Sequence, residues 1–87
     1  MLASGTYTIE DRTIAFNLSG SGPVKLQVFD ARGRLVRTLV DESRPAGPHR
    51  VSWDGKDNGG RSAAAGVYMY RLSAGEFTQQ RKMTLLK

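Results

Sequence analysis

The chain has 87 residues, room for one domain and one core, since domains usually take roughly 100–150 residues and chains below about 40 seldom fold without staples. It contains no cysteine, which excludes a disulfide framework, a thiolate metal site and a cysteine nucleophile. Thirteen Lys and Arg against eight Asp and Glu give a formal net charge of +5, yet the cations are scattered from Arg12 to Lys87 and only Arg32, Arg34 and Arg37 crowd together, so no contiguous stripe for nucleic acid forms.

No apolar run approaches the roughly 20 residues that span a bilayer, and Met1-Leu2-Ala3-Ser4-Gly5 lacks the basic and apolar regions of a signal peptide. No membrane insertion is expected, and the chain reads as soluble, either excised from a longer precursor or exported by other means. In so short a chain a deep cleft would compete with the core for the same side chains, which disfavours an enzyme.

Period-two alternation dominates, the mark of strands with one buried face. Thr6 to Glu10 reads as a first, weak strand. Thr13 to Leu18 is stronger, with Ile14, Phe16 and Leu18 on one face, and Ser19-Gly20-Ser21-Gly22-Pro23 then breaks the chain. Val24, Leu26 and Val28 oppose Lys25, Gln27 and Phe29, and Asp30-Ala31-Arg32-Gly33 supplies a hairpin turn with glycine where positive φ is needed.

Arg34 to Val40 is ambiguous, because Leu35, Val36, Leu39 and Val40 also fit one helical face; Thr38, the valines and the shortness of the segment favour strand. Asp41 to Pro48 reads as a polar connection. His49, Val51 and Trp53 then alternate with Arg50 and Ser52 in a strand that ends at Asp54-Gly55. Lys56 to Ala65 is a loop, Gly66 precedes a strand at Val67 to Ser73, and Ala74-Gly75-Glu76 turns the chain into a last strand, Phe77 to Leu86. No internal repeat is apparent. About seven short antiparallel strands with turn chemistry between them make an all-β, immunoglobulin/fibronectin-III-like sandwich over residues 1–87, with Ile14, Phe16, Leu26, Val28, Val51, Trp53, Tyr68, Tyr70, Met83 and Leu85 inside.

Residues able to carry chemistry are few. His49 is the sole histidine, and Ser52, three residues on, falls on the opposite face of its strand, so a Ser-His-Asp relay is not assembled. Asp54, Asp57 and Asn58 lie in a Gly-rich loop, but Lys56 stands where a calcium loop wants an oxygen ligand and the closing Glu is absent, so turns and Asx caps are the better reading. The glycines are not followed by Lys-Ser/Thr and a helix, so they do not cradle phosphate. Trp53, Tyr68 and Tyr70 could stack on a glycan, but their alternation with polar residues assigns them to the core. No cofactor is expected.

Three segments carry a resemblance: Val28-Phe29-Asp30-Ala31-Arg32-Gly33-Arg34-Leu35-Val36, Ala46-Gly47-Pro48-His49-Arg50-Val51-Ser52-Trp53-Asp54-Gly55 and Ala65-Gly66-Val67-Tyr68-Met69-Tyr70-Arg71-Leu72. Together they resemble the immunoglobulin-like domain of the flagellar hook-capping protein and the C-terminal sorting domains of the type IX secretion system. Those sorting domains close with a segment similar to Arg81-Lys82-Met83-Thr84-Leu85-Leu86-Lys87, although the Asn-Pro-Phe-Asn-Pro-like opening is replaced here by Gly5 to Arg12. The resemblance implies a non-catalytic accessory domain of a secreted or cell-surface bacterial protein, an export address or spacer whose partner is its parent polypeptide or the secretion machinery. Gly33, Trp53, Asp54, Gly55, Gly66 and Tyr68 form its structural motif, and Arg81, Lys82, Met83, Leu85, Leu86 and Lys87 form a sorting or assembly segment.

Residue by residue, Trp53 can fill the inter-sheet space and the Tyr68 hydroxyl can anchor a corner. The alternatives are a self-assembling subunit joined by strand addition at its edges, and a glycan- or protein-binding module.

Overall fold

Alternation puts one face of each strand in a core and the other in water. The described residues form seven strands: β1 (Thr8–Glu10), β2 (Thr13–Leu18), β3 (Gly22–Asp30), β4 (Leu35–Arg44), β5 (Gly47–Ser52), β6 (Gly66–Ala74) and β7 (Phe77–Leu85). The computed structural model describes residues 8–10 and 12–86, the first three by their backbone alone. Thr6, Tyr7 and Lys87, which the sequence places in terminal strands or segments, lie outside the described residues.

A three-stranded sheet, β1-β2-β5, faces a four-stranded sheet, β4-β3-β6-β7, and every pairing is antiparallel. The chain crosses from one sheet to the other between β2 and β3, between β4 and β5, and again between β5 and β6. This is the seven-stranded immunoglobulin/fibronectin-III-like sandwich expected from the strand count.

The two inner faces meet through Ile14, Phe16 and Leu18 of β2, Val24, Leu26 and Val28 of β3, Tyr68, Tyr70 and Leu72 of β6, and Met83 and Leu85 of β7, all buried. Val40 and Ala74 extend this core, and Trp53, just past β5, is buried in it. Trp53 meets Tyr68 and Tyr70 edge-on, with ring centroids 5.2 and 6.4 Å away, an arrangement that sets the positive edge of one ring against the negative face of another.

Four expectations need correction. Asp41 to Pro48 is not one long connection: β4 runs on through Arg44, paired with Gly22, and β5 begins at Gly47, leaving only Pro45 and Ala46 between them. For the same reason the Ser19 to Pro23 break is shorter than expected, because Gly22 and Pro23 already pair with Arg44 and Ser43. A polar strand that projects past the core keeps its ladder without an apolar signature. Val51 is half-buried rather than buried, because it sits on β5, an edge strand of the smaller sheet, opposite Ile14. The last strand stops at Leu85, and Leu86 is 80% exposed.

The segment that read equally well as helix is the strand β4, and its pattern has a physical cause. Leu26 pairs with Val40 but Gln27 with Thr38, and Val28 pairs with Arg37 but Phe29 with Leu35. Leu39 and Val36 are therefore extra residues in two bulges, and both turn partly into the core.

Replacing Trp53 with Ala should destabilise the chain by about 3–5 kcal/mol, the usual cost of deleting a buried aromatic side chain, a large share of a small domain's total. Urea unfolding followed by tyrosine fluorescence measures it, and an unchanged midpoint is incompatible with the burial described.

Candidate functional site

At one end of the sandwich two turns share the same construction. In the first, the Asp30 Oδ1 accepts the backbone N–H of Arg32 and of Arg34, both at 2.9 Å, while Oδ2 accepts from Arg34 Nε at 3.1 Å. The main chain closes underneath, with Gly33 N donating to the Asp30 carbonyl and Asp30 N donating to the Arg34 carbonyl.

Asp57-Asn58-Gly59-Gly60-Arg61 repeats this arrangement in the loop after Trp53. Asp57 Oδ1 accepts the N–H of Gly59 and Arg61, Gly60 N donates to the Asp57 carbonyl, and Asp57 N donates to the Arg61 carbonyl. Arg61 Nε lies 3.4 Å from Asp57 Oδ2. Gly33 and Gly60 both have φ of 86°, the left-handed region that glycine occupies without penalty. The sequence therefore holds a short repeat, Asp-x-x-Gly-Arg, below the scale of any strand. Its identical spacing was the available signal.

Asp54 opens the same loop. Its Oδ1 accepts the Lys56 N–H at 2.9 Å and Arg37 Nη1 at 3.1 Å, and that Arg37 nitrogen also donates to the Lys56 carbonyl. The Lys56 carbonyl in turn accepts the Trp53 indole N–H at 2.9 Å. Gly55 is buried between Arg12 and Leu85, and its carbonyl accepts the Ala63 N–H. Farther along, Asn58 hooks the outer edge of β4: its N–H donates to the Val36 carbonyl, and its Oδ1 accepts the Thr38 N–H. The sequence marks Arg37 only as part of a cationic cluster and Asn58 only as a turn residue, and gives Arg12 and Arg61 no role, because the partner of each lies far along the chain or in a turn.

All three aspartates are held below the ordinary carboxylate value. For Asp30 the main cause is the Arg34 backbone N–H, for Asp54 the Lys56 N–H, and for Asp57 the Arg61 N–H, each opposed by partial desolvation. Asp54 and Asp57 are thus turn acceptors, with the oxygens that a cation would need facing backbone donors.

Gly66 opens β6, and two residues on, Tyr68 donates its hydroxyl to the Ala64 carbonyl at 2.6 Å. This is the geometry of a tyrosine corner, a tyrosine near the start of the sixth strand bonded to backbone a few residues upstream. Two residues further, where antibody domains place a cysteine, Tyr70 is buried with no hydrogen-bond partner for its hydroxyl among the described residues. Burial pushes that phenol up to about 12. Because Trp53, Tyr68 and Tyr70 are all buried, none offers a ring face to a glycan.

His49 stacks on Phe16 with ring centroids 5.3 Å apart. Its Nε2 lies 2.8 Å from the Pro45 carbonyl; a carbonyl can only accept, so Nε2 carries the proton. Ser52 is on the far face, its hydroxyl 3.1 Å from that of Thr13, and no relay forms.

The exposed apolar residues gather at the same end. Leu35, Val67, Met69 and Leu86 are 37–80% exposed. Phe29 pairs with both Leu35 and Met69 and lies beneath the Arg71 guanidinium at 4.5 Å. Of the expected C-terminal segment, Met83 and Leu85 point into the core, whereas Arg81, Lys82 and Leu86 are exposed. Between the two aspartate turns a shallow cleft of about 420 Å³ is lined by Arg34, Val36, Arg61 and Tyr68.

A sandwich of this topology with a tyrosine corner and backbone-fed aspartate turns is an immunoglobulin-like domain. More narrowly, the chain belongs to the FlgD Ig-like domain family, whose pattern matches residues 10–76. Among solved structures it is similar to FlgD from P. aeruginosa, with 23% identity, a TM-score of 0.65, and coverage of 97% of this chain and 70% of that one. It is also similar to PorZ of Porphyromonas gingivalis, described as an essential bacterial surface component of the type-IX secretion system, with 12% identity, a TM-score of 0.55 and coverage of 99% of this chain but only 11% of that one. At these identities both likenesses speak to the fold. No curated protein sequence matches the chain.

The two core tyrosines should respond in opposite ways to loss of the hydroxyl. Tyr68→Phe leaves the Ala64 carbonyl without its donor and should cost about 1 kcal/mol, while Tyr70→Phe removes an unsatisfied buried hydroxyl and should stabilise by about 1 kcal/mol. Paired urea midpoints measure the difference.

The titration shifts set two pH limits. The aspartates have lowered folded values, so their stabilising effect is present above the ordinary carboxylate value near 3.9 and is lost as pH falls through the depressed folded values. Tyr70 is the reverse case: its folded value is raised, so the unfolded chain ionises first and stability falls as pH climbs from near 10 through about 12. Asp57→Asn, which keeps the Oδ1 acceptor, should flatten the acid limb of a stability-against-pH curve, and Tyr70→Phe should flatten the alkaline limb.

Proposed function

We propose that this chain is a non-catalytic accessory module of a larger secreted or cell-surface bacterial protein, serving as a structural spacer or as a sorting domain at its C-terminus. The observation that carries this reading is where the polar side-chain atoms of the motif and of the two aspartate turns go. The Asp30, Asp54 and Asp57 carboxylates, the Trp53 indole N–H and the Tyr68 hydroxyl all bond to backbone of this same domain. Residues spent on holding loops in place are the signature of a scaffold, and membership of the FlgD Ig-like family supports a role inside a larger assembly. The likeness to PorZ lends support to a secretion-associated or surface location, and the resemblance of residues 81–87 to the closing segment of sorting domains makes them the proposed sorting segment.

Export of a cargo tests the reading. The intact domain, fused to the C-terminus of a foreign periplasmic protein in a host with type IX machinery, should carry that protein to the surface or medium, and removal of residues 81–87 should retain it. Retention of the intact fusion would discard the sorting role and leave the spacer.

A second reading, self-assembly by strand addition, draws on the position of β7 at a sheet edge. The charge of that strand weighs against it. Light scattering across a concentration series decides, since a concentration-independent monomer is incompatible with a self-assembling subunit.

A further inference from the structure

The four-stranded sheet ends differently on its two sides. Along β4, Asn58 stoppers the edge by giving its N–H to the Val36 carbonyl and taking the Thr38 N–H on its Oδ1. Along β7, β6 is the one strand paired among the described residues. Phe77–Leu85 runs for nine residues without proline, and its pairing from Ala74↔Phe77 to Gly66↔Leu85 has no register shift. A long, regular edge is the kind that proteins normally twist, break or cover, and it is also a template for an added strand.

The side chains on β7 select what can be added. Met83 and Leu85 lie in the inner row and are buried, and Phe77 in the same row packs partly against the core. Lys82 lies in the outer row with Thr78, Gln80 and Thr84, all exposed. Arg81 alternates into the row of Met83 and Leu85 but stays exposed, so Lys82 is the cation of the outer row, and no carboxylate occurs from Phe77 to Leu85. Two copies of β7 therefore have no register, parallel or antiparallel, that sets an acidic residue opposite either cation, and cations directly opposite each other are destabilising. An acidic strand has the opposite balance.

We propose that the edge of β7 takes an extended segment of a different polypeptide, apolar where it continues the inner row of Met83 and Leu85 and acidic where it lies beside Lys82. This goes beyond the accessory reading and does not depend on export.

The probe is a synthetic peptide of alternating valine and glutamate matching the nine residues of β7, with the valine–lysine peptide as its counterpart, each titrated into the full 87-residue chain. The valine–glutamate peptide should bind, weaken with added salt, and slow hydrogen exchange at every second backbone amide of β7 while leaving β4 unchanged. Lys82→Glu should weaken that binding by about fivefold, the scale of one reversed exposed ion pair, and should admit the valine–lysine peptide, with thermal unfolding confirming that the variant folds. The proposal is overturned by absence of binding, by equal binding of the two peptides, or by protection that falls outside β7. It is likewise overturned if the chain alone dimerises with its β7 amides protected, since the occupant is then a second copy.

Discussion

Trp53 is the side chain on which the two halves of this sandwich depend. Its backbone N–H bonds to the Arg12 carbonyl and holds the end of β5 against the start of β2, while its ring fills the space beside Tyr68 and Tyr70. The indole carries one polar atom into this apolar setting, and burying an N–H without a partner is costly. Lys56 supplies that partner through its carbonyl, and doing so folds the chain back immediately after the tryptophan. The loop that results is the one that reaches Val36 and Thr38 on the opposite sheet. A requirement that originates in the core thus determines how an edge some distance away is finished.

Legibility in the sequence followed the chemistry of each segment. Where one face is apolar and the other lacks large apolar residues, as in Thr13–Leu18, the strand and its buried residues are readable directly. Where β4 runs past the core as Asp41-Glu42-Ser43-Arg44, nothing apolar marks it, because its ladder is held by main-chain bonds alone. Leu35, Val36, Leu39 and Val40 mimic a helix because two extra residues in bulges shift the inward-facing positions out of period two. Val51 shows a third limit: alternation tells which way a side chain points, but how deeply it sinks depends on whether its strand is central or at an edge.

The loops were legible in kind and not in partnership. Asp, Asn and Gly clusters announce turns, and a hydroxyl anchor at Tyr68 follows from its place near the start of a strand. Which carboxylate oxygen would take which N–H is set by a backbone path that only the folded chain supplies. Asn58 is the clearest case, since its hook onto Thr38 spans twenty positions in sequence. These findings also explain why structural residues can resemble functional ones: aspartate, tryptophan and tyrosine at fixed spacing are what catalytic and ligand sites use, yet the polar atoms of Asp30, Asp54, Asp57, Trp53 and Tyr68 are satisfied within the domain. Function therefore has to be sought at the surface that this internal bonding leaves over.

The stopper on β4 has a consequence for stoichiometry. A sheet open along both sides can accept a strand on each and pass the pairing on, which is the route to fibres and open-ended arrays. With Asn58 bonded to Val36 and Thr38, the first part of the β4 edge is already taken by the chain's own loop, and a strand added there would have to displace it. Such a stopper favours the capping of a sheet over its open-ended extension.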